Sequence, residues 1–271
     1  MSYQPSTLSS RSSEAMTYVA RLVTDDGPCW GVLVGEMIYE LDGHPFVGWE
    51  IAQAIVEVER ASLLPPTSPS KIVCVGLNYR AHAEESEASV PDEPLLFLKP
   101  PSAVIGPDHP IVLPTQSERI DYEAELALVI GTRCRNVAPV EAWSFVAGVT
   151  CGNDVTARDL QARDDQWTRA KGFDTFCPLG PWLVMGVQEA DLCEMEVVCR
   201  VNGEVRQKGR VTDMVFSPME LVAYISSIMT LEPGDVIMTG TPEGVGALHH
   251  GDVVDVEVGN VGVLRNPVGN R

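Results

Sequence analysis

A chain of 271 residues suits one large domain, or a core with a small appendage. Its 38 acidic and 19 basic residues give a formal charge of −19. That charge repels a phosphate backbone and, with no basic patch to offset it, excludes nucleic acid as a partner. No run reaches the roughly 18 apolar residues of a membrane span, and MSYQPSTLSSRSSEAM lacks the apolar core of a secretory signal, so a soluble cytoplasmic protein with no membrane partner is expected.

Residues 1–15 are Ser-rich without apolar periodicity and are expected to form a flexible extension, with Met16 as an alternative start. Residues 16–68 form an expected small N-terminal β domain. Its short β-type runs are broken at Asp25-Asp26-Gly27 and Gly35, a helix is expected at Ile51–Ala61, and LLPPTSPSK reads as a linker. Residues 69–271 carry many short strands (KIVCVGL, PLLFLK, EAELALVIG, MEVVCRVNG, GDVIMTG, DVVDVEVG), which makes the chain a β-rich α+β protein. A short helix is expected at Ala142–Phe145. One longer helix is well signalled: Ser217-Pro218-Met219-Glu220 supplies an N-cap, a proline at the first helical position and a capping-box glutamate. Leu221, Val222, Ile225, Ile228 and Met229 then share a face, and the helix should stop near Pro233-Gly234. Seven cysteines without a CxxC pair indicate neither a disulfide framework nor a zinc site, and read as reduced, mostly buried residues.

Chemistry concentrates in a few places. In Asp121-Tyr122-Glu123-Ala124-Glu125-Leu126-Ala127-Leu128, strand alternation sends Glu123 and Glu125 to one face and Ala124, Leu126 and Leu128 to the other. Two neighbouring carboxylates either face water at a strand end or, if buried, need a cation, for which a divalent metal is the natural choice. Asp154, after a Gly-Asn turn, is either a third oxygen ligand or a helix N-cap; three hard oxygen donors suit Mg²⁺, Mn²⁺ or Ca²⁺ better than zinc. His82 and Glu85, three apart, form either a charged helix face or an acid/base pair. Lys171 is a surface lysine or a charge partner, and His109, His249 and His250 read as surface. Thr239-Gly240-Thr241-Pro242-Glu243-Gly244 lacks the lysine of a phosphate loop; it is either a turn or a cradle for a carboxylate. The segment from Arg80 to Pro91, rich in acids, is expected to be a lid that orders on binding.

Taken in order, VGLNYRAHAEE, PLLFLKPPSAVIGP, DYEAELALVIG, GNDVTARDLQ, RAKGFDTFCPLGPW, VNGEVRQKG and FSPMELVAYISSIMTLEPGDVIMTGTPEGVG resemble the fumarylacetoacetate hydrolase family over roughly residues 70 to 266. The resemblance implies a mixed β-sandwich roll with flanking helices behind a small N-terminal domain, paired as a homodimer. It implies Glu123, Glu125 and Asp154 as ligands of Mg²⁺ (or Mn²⁺, with Ca²⁺ possible), His82 and Glu85 as a catalytic dyad, and Lys171 and Gln161 as further catalytic residues. Thr241 would lie near the substrate carboxylate, with Arg80 as a second substrate contact. The chain looks closer to the compact acylpyruvase and decarboxylase branch than to the long tyrosine-degradation hydrolase, whose extra acidic ligand is missing. The expected activity is metal-dependent chemistry on a 2-oxo acid through an enolate, first as C–C hydrolysis of acylpyruvates. The alternatives are decarboxylation of oxaloacetate, isomerisation of a 2-hydroxyhepta-2,4-diene-1,7-dioate type acid, a non-catalytic module that binds small diacids, and a purely structural β domain.

Overall fold

The computed structural model describes residues 16–270; the expected extension, residues 1–15, lies outside the described residues. The chain opens with an antiparallel meander, β1 (Thr17–Thr24), β2 (Gly27–Val34), β3 (Met37–His44) and β4 (Gly48–Glu57). The helix expected at Ile51–Ala61 is therefore mostly strand. β-branched Ile51 and Val56 pair with Leu41 and Ile38 of β3, and only Val58–Arg60 makes a single 3₁₀ turn.

After residues 61–71 come β5 (Ile72–Gly76), α1 (Arg80–Glu85), β6 (Leu95–Lys99), β7 (Val104–Ile105), β8 (Ile111–Leu113), β9 (Ile120–Tyr122) and β10 (Ala124–Ile130). Next are α2 (Pro139–Ala142), β11 (Val146–Asn153), β12 (Thr156–Ala157), α3 (Arg158–Arg163), α4 (Thr168–Lys171) and β13 (Cys177–Met185). The chain ends with β14 (Glu196–Val201), β15 (Glu204–Arg210), α5 (Pro218–Ile228), β16 (Val236–Met238), β17 (Gly246–Ala247), β18 (Val253–Val258) and β19 (Gly262–Asn270). The short helix expected at Ala142–Phe145 is α2 followed by a 3₁₀ turn over Trp143–Phe145. Helix α5 starts as its cap dictates, with the Ser217 side chain accepting from the Glu220 amide. It ends at Ile228, before Pro233, and Ile228 is half exposed instead of facing the core.

The large sheet runs β4-β3-β2-β1-β13-β11-β10-β16-β5-β6, with β7 beside β13. Val19, Val32 and Leu41 of its first half share one apolar cluster with Ile72, Cys74 and Met238 of its second, so the sheet curls and its two halves close over an inner core. On the outer face, Leu126 and Leu128 of β10 pack with Val197, Cys199 and Val256 of a second sheet, β15-β14-β18-β19-β8. Every residue of β10 is buried because both its faces are covered. A small third sheet, β12-β9-β17, sits where β9 leads into β10. Together these form a mixed β-roll packed on a second sheet with short flanking helices, the β-rich α+β class expected. The five cysteines Cys74, Cys134, Cys151, Cys177 and Cys199 are buried, and all seven are free thiols.

The proline-rich stretch before β5 is not a loose tether. The Thr67 hydroxyl is buried and donates to the Gly234 carbonyl at 2.8 Å, and buried Asp235 accepts from the amides of Ser70, Lys71 and Glu232 and from the Lys71 ammonium. These bonds dock the segment against the start of β16. Asp235→Ala is expected to lower stability by about 3–5 kcal/mol, since it strands several amides and one ammonium; urea unfolding measures it.

Candidate active site

The site is assembled by the pairing of β10 with β11. Their register matches Ala124 with Asn153 and Glu125 with Gly152, which places Glu123 opposite Asp154 one step beyond the last pair. The Asp154 amide donates to the Glu123 carbonyl at 2.8 Å, and the Asn153 side chain accepts from the Glu123 amide at 3.0 Å. Asp154 is not a helix cap, because α3 begins after Ala157. Gly152 leaves room for the end of the Met238 side chain, which would lie 2.6 Å from a Cβ there. Strand alternation then brings Glu125 to the same side, and carboxylate oxygens of Glu123, Glu125 and Asp154 lie within 4.8 Å of one another, all buried.

Burying three acids requires cations. The Lys171 ammonium, at the end of α4, donates to Glu123 Oε2 (2.8 Å) and Asp154 Oδ2 (2.6 Å), and lies 4.9 Å from the centre of the Phe97 ring. Lys99, almost wholly buried at the end of β6, donates to Asp154 Oδ1 and to the Val155 carbonyl. Arg158 donates to Glu123 Oε1, to Asp121 Oδ2 and to Gln161 Oε1. Burial works against ionisation of Glu123, but Lys171 and Arg158 overcome it and hold its carboxyl well below the usual range. Glu125 is the opposite case. Burial, then Asp154 and Glu123, push its carboxyl well above the usual range, and its one hydrogen bond comes from the Gly240 amide at 2.7 Å. Burial lowers the Lys171 ammonium, but Asp154 and Glu123 outweigh it and the net shift is upward.

Glu123, Glu125, Asp154, Arg158 and Lys171 line a cavity of about 190 Å³ together with His82, Ser86, Ala88, Phe97, Gln161, Trp167 and Thr241, while Lys99 stands behind Asp154. Phe97 and Trp167 meet edge to face at 5.3 Å and make its apolar wall. His82 is buried, and its Nδ1 lies 3.2 Å from Glu85 Oε2; Glu85 is exposed and stands behind the ring, outside the lining. The Thr241 hydroxyl donates to the Ala124 carbonyl (2.8 Å) and accepts from Gln207 Nε2 (2.8 Å). Arg80 is not brought to the cavity. It opens α1 on the exposed side, while His82 and Ala83 turn inward and give the acid-rich segment an internal anchor that its composition did not suggest.

Lys99 and Arg158 belong to the site but carry no local motif. Their one sequence signal is a charged residue inside an apolar or compact run, PLLFLK and TARDLQ. Three hard oxygen donors, one of them with its carboxyl pushed upward by burial and by the other two, fit a divalent ion such as Mg²⁺ or Mn²⁺. A raised Glu125 carboxyl means that the fold keeps a proton which the unfolded chain releases above about pH 4.5, so this group costs metal-free stability as pH rises. Glu123 acts in the opposite sense; its contribution is present above about pH 4.5 and lost as pH falls below it. Glu125→Gln should therefore raise the Tm of EDTA-treated protein near pH 8 but not near pH 4, measured by thermal unfolding.

Residues 71–269 match the fumarylacetoacetate (FAA) hydrolase C-terminal family, and residues 19–66 match the Rv2993c-like N-terminal family. Human oxaloacetate tautomerase FAHD2A, mitochondrial, is 46% identical over 215 residues, which are 76% of this chain and 68% of that protein. The crystal structure of 5-carboxymethyl-2-hydroxymuconate delta-isomerase from Mycobacterium smegmatis superposes with a TM-score of 0.86 at 42% identity, covering 94% of this chain and 100% of that one. The 2-hydroxyhepta-2,4-diene-1,7-dioate isomerase of Mycobacterium marinum gives 0.86 at 40% identity, covering 94% and 99%. No described helix is long and apolar enough to cross a membrane. With 71–269 matched and these relatives covered along most of its length, the chain belongs to the fumarylacetoacetate hydrolase family.

Proposed function

We propose that this protein is a divalent-metal-dependent enzyme that moves a proton next to the carbonyl of a small 2-oxo dicarboxylic acid, interconverting keto and enol forms or shifting a double bond. The observation that carries the reading is His82: buried, backed by Glu85, and facing across a small cavity toward Glu123, Glu125 and Asp154. The cavity is well below the ~300–1,000 Å³ of pockets for drug-sized ligands, which favours a short acid. The names of the tautomerase and isomerase relatives support the same class of chemistry.

Glu123, Glu125 and Asp154 would hold the ion, which supplies Lewis-acid polarisation of substrate oxygens. Lys171 and Arg158 keep Glu123 ionised, and Lys99 and Lys171 each donate to one oxygen of Asp154, so an ion ligated by Asp154 would share or displace one of those contacts. With Nδ1–H of His82 directed at Glu85, Nε2 is the atom that takes a proton from the substrate carbon and returns it to oxygen or to another carbon. Phe97 and Trp167 exclude bulk water from that face.

C–C hydrolysis of acylpyruvates is the second reading. It is favoured by Gln161, which lines the cavity and accepts from Arg158 through its oxygen, leaving its amide N–H₂ to orient a water. Oxaloacetate, acetylpyruvate, fumarylpyruvate and a 2-hydroxymuconate-type acid assayed side by side, with and without EDTA, decide between them. Asp154→Ala and Glu123→Ala are expected to abolish metal-dependent turnover. His82→Asn should lower kcat by about 10²–10⁴-fold with Mg²⁺ affinity, read by calorimetry, unchanged. Full activity after EDTA treatment would overturn the proposal.

A further inference from the structure

Glu85 is not fixed by burial, since its side chain is 37% exposed, and it sits on a six-residue helix whose first residue has no side-chain cap. Its orientation comes from across the fold. The Gly244 amide donates to both carboxylate oxygens, at 3.0 and 3.2 Å. Gly244 in turn is held from behind: the Tyr122 hydroxyl donates to its carbonyl at 3.0 Å, and β17 pairs Gly246 with Tyr122. Tyr122 is buried and immediately precedes Glu123. Position 244 accepts only glycine, because its φ is +94° and a Cβ would lie 2.1 Å from the Arg206 carbonyl oxygen. Other bonds tie the same loop to the start of β10: the Thr241 hydroxyl donates to the Ala124 carbonyl, and the Gln207 side-chain amide donates to the Pro242 carbonyl while its oxygen accepts from the Ala124 amide. Neither Tyr122 nor Gly244 lines the cavity.

We infer that Tyr122 and Gly244 are positioning residues for the His82–Glu85 pair, so that the segment leading into Glu123 and Glu125 also sets the orientation of the base. The inference rests on the proposed role of His82 and Glu85 in proton transfer. A carboxylate bound by one amide from a fixed loop presents its oxygens to His82 Nδ1 in one direction; freeing the Gly244 carbonyl lets a glycine peptide turn, and the imidazole loses its fixed partner.

The test is a double-mutant cycle of Tyr122→Phe and Glu85→Gln on the Mg²⁺-loaded protein, with oxaloacetate as probe and Mg²⁺ affinity measured by calorimetry. Tyr122→Phe is expected to lower kcat about tenfold, with KM and Mg²⁺ affinity held within about twofold. In the Glu85→Gln background the same substitution should change kcat by less than about twofold, because its effect passes through Glu85. Equal losses in both backgrounds, no loss in the unsubstituted background, or a loss carried by KM or by Mg²⁺ affinity overturn the inference. An unchanged kcat in Glu85→Gln alone overturns the acid/base reading and this inference with it. A loss in Glu85→Gln but none in Tyr122→Phe overturns the positioning role alone. A readout independent of turnover is the amide proton resonance of Gly244, which should move upfield in both single variants; a resonance that Tyr122→Phe leaves in place also overturns the inference.

Discussion

Everything in this molecule is arranged around a cluster of carboxylates that the fold buries almost completely. Asp121, Glu123, Glu125 and Asp154 are almost completely buried, and ions in such surroundings cost several kcal/mol each unless paired. Lys99, Lys171 and Arg158 supply the pairing from three separate elements: the end of β6, the end of α4 and the start of α3. The strand carrying Glu125 must therefore sit between two covered faces, and the chain must return twice, through 99 and through 158–171, to bring positive charge. Of the four, Glu125 alone is left without a cation at hydrogen-bond distance, which is the feature the proposed metal would answer.

Local patterns made the acids readable and the cations obscure. Alternation in YEAELALVI correctly divided Glu123 and Glu125 from Ala124, Leu126 and Leu128, because both sheet faces are apolar and a shift of one residue would invert them. The start of α5 was equally legible, since a capping box is written within four consecutive residues. Lys99 and Arg158 were not, because what makes them part of the site is a partner 55 or 35 residues away. The amide of Gly244 and the hydroxyl of Tyr122 escape notice for the same reason. Residues 51–61 misled because their apolar spacing suits either period; the neighbouring β3 edge decided for strand. The proline-rich run before β5 looked like a spacer, yet Asp235, which docks it, lies more than 160 residues further on.

Chemically, the cavity is divided by polarity. One side carries carboxylates with their counter-charges, the other the faces of Phe97 and Trp167, and His82 reaches in beneath α1. The proposed substrate, a short, doubly charged acid, would suit such a division. The Thr241 hydroxyl already spends its proton on Ala124, so hydrogen-bond donation to an anion there has to come from other groups of the lining, among them the Gln161 amide and the Lys171 and Arg158 cations.

The curl of the large sheet has an evolutionary corollary. Because β1 lies alongside β13, which borders β11 and so supports the loop carrying Asp154, the first meander shields a ladder edge of the catalytic sheet. Cleaving the chain near residue 68 would bare that edge as a template for intermolecular strand addition. The leading segment can thus diverge in surface and loops, or be exchanged for an unrelated module, only so long as its replacement also offers a strand to cover β13.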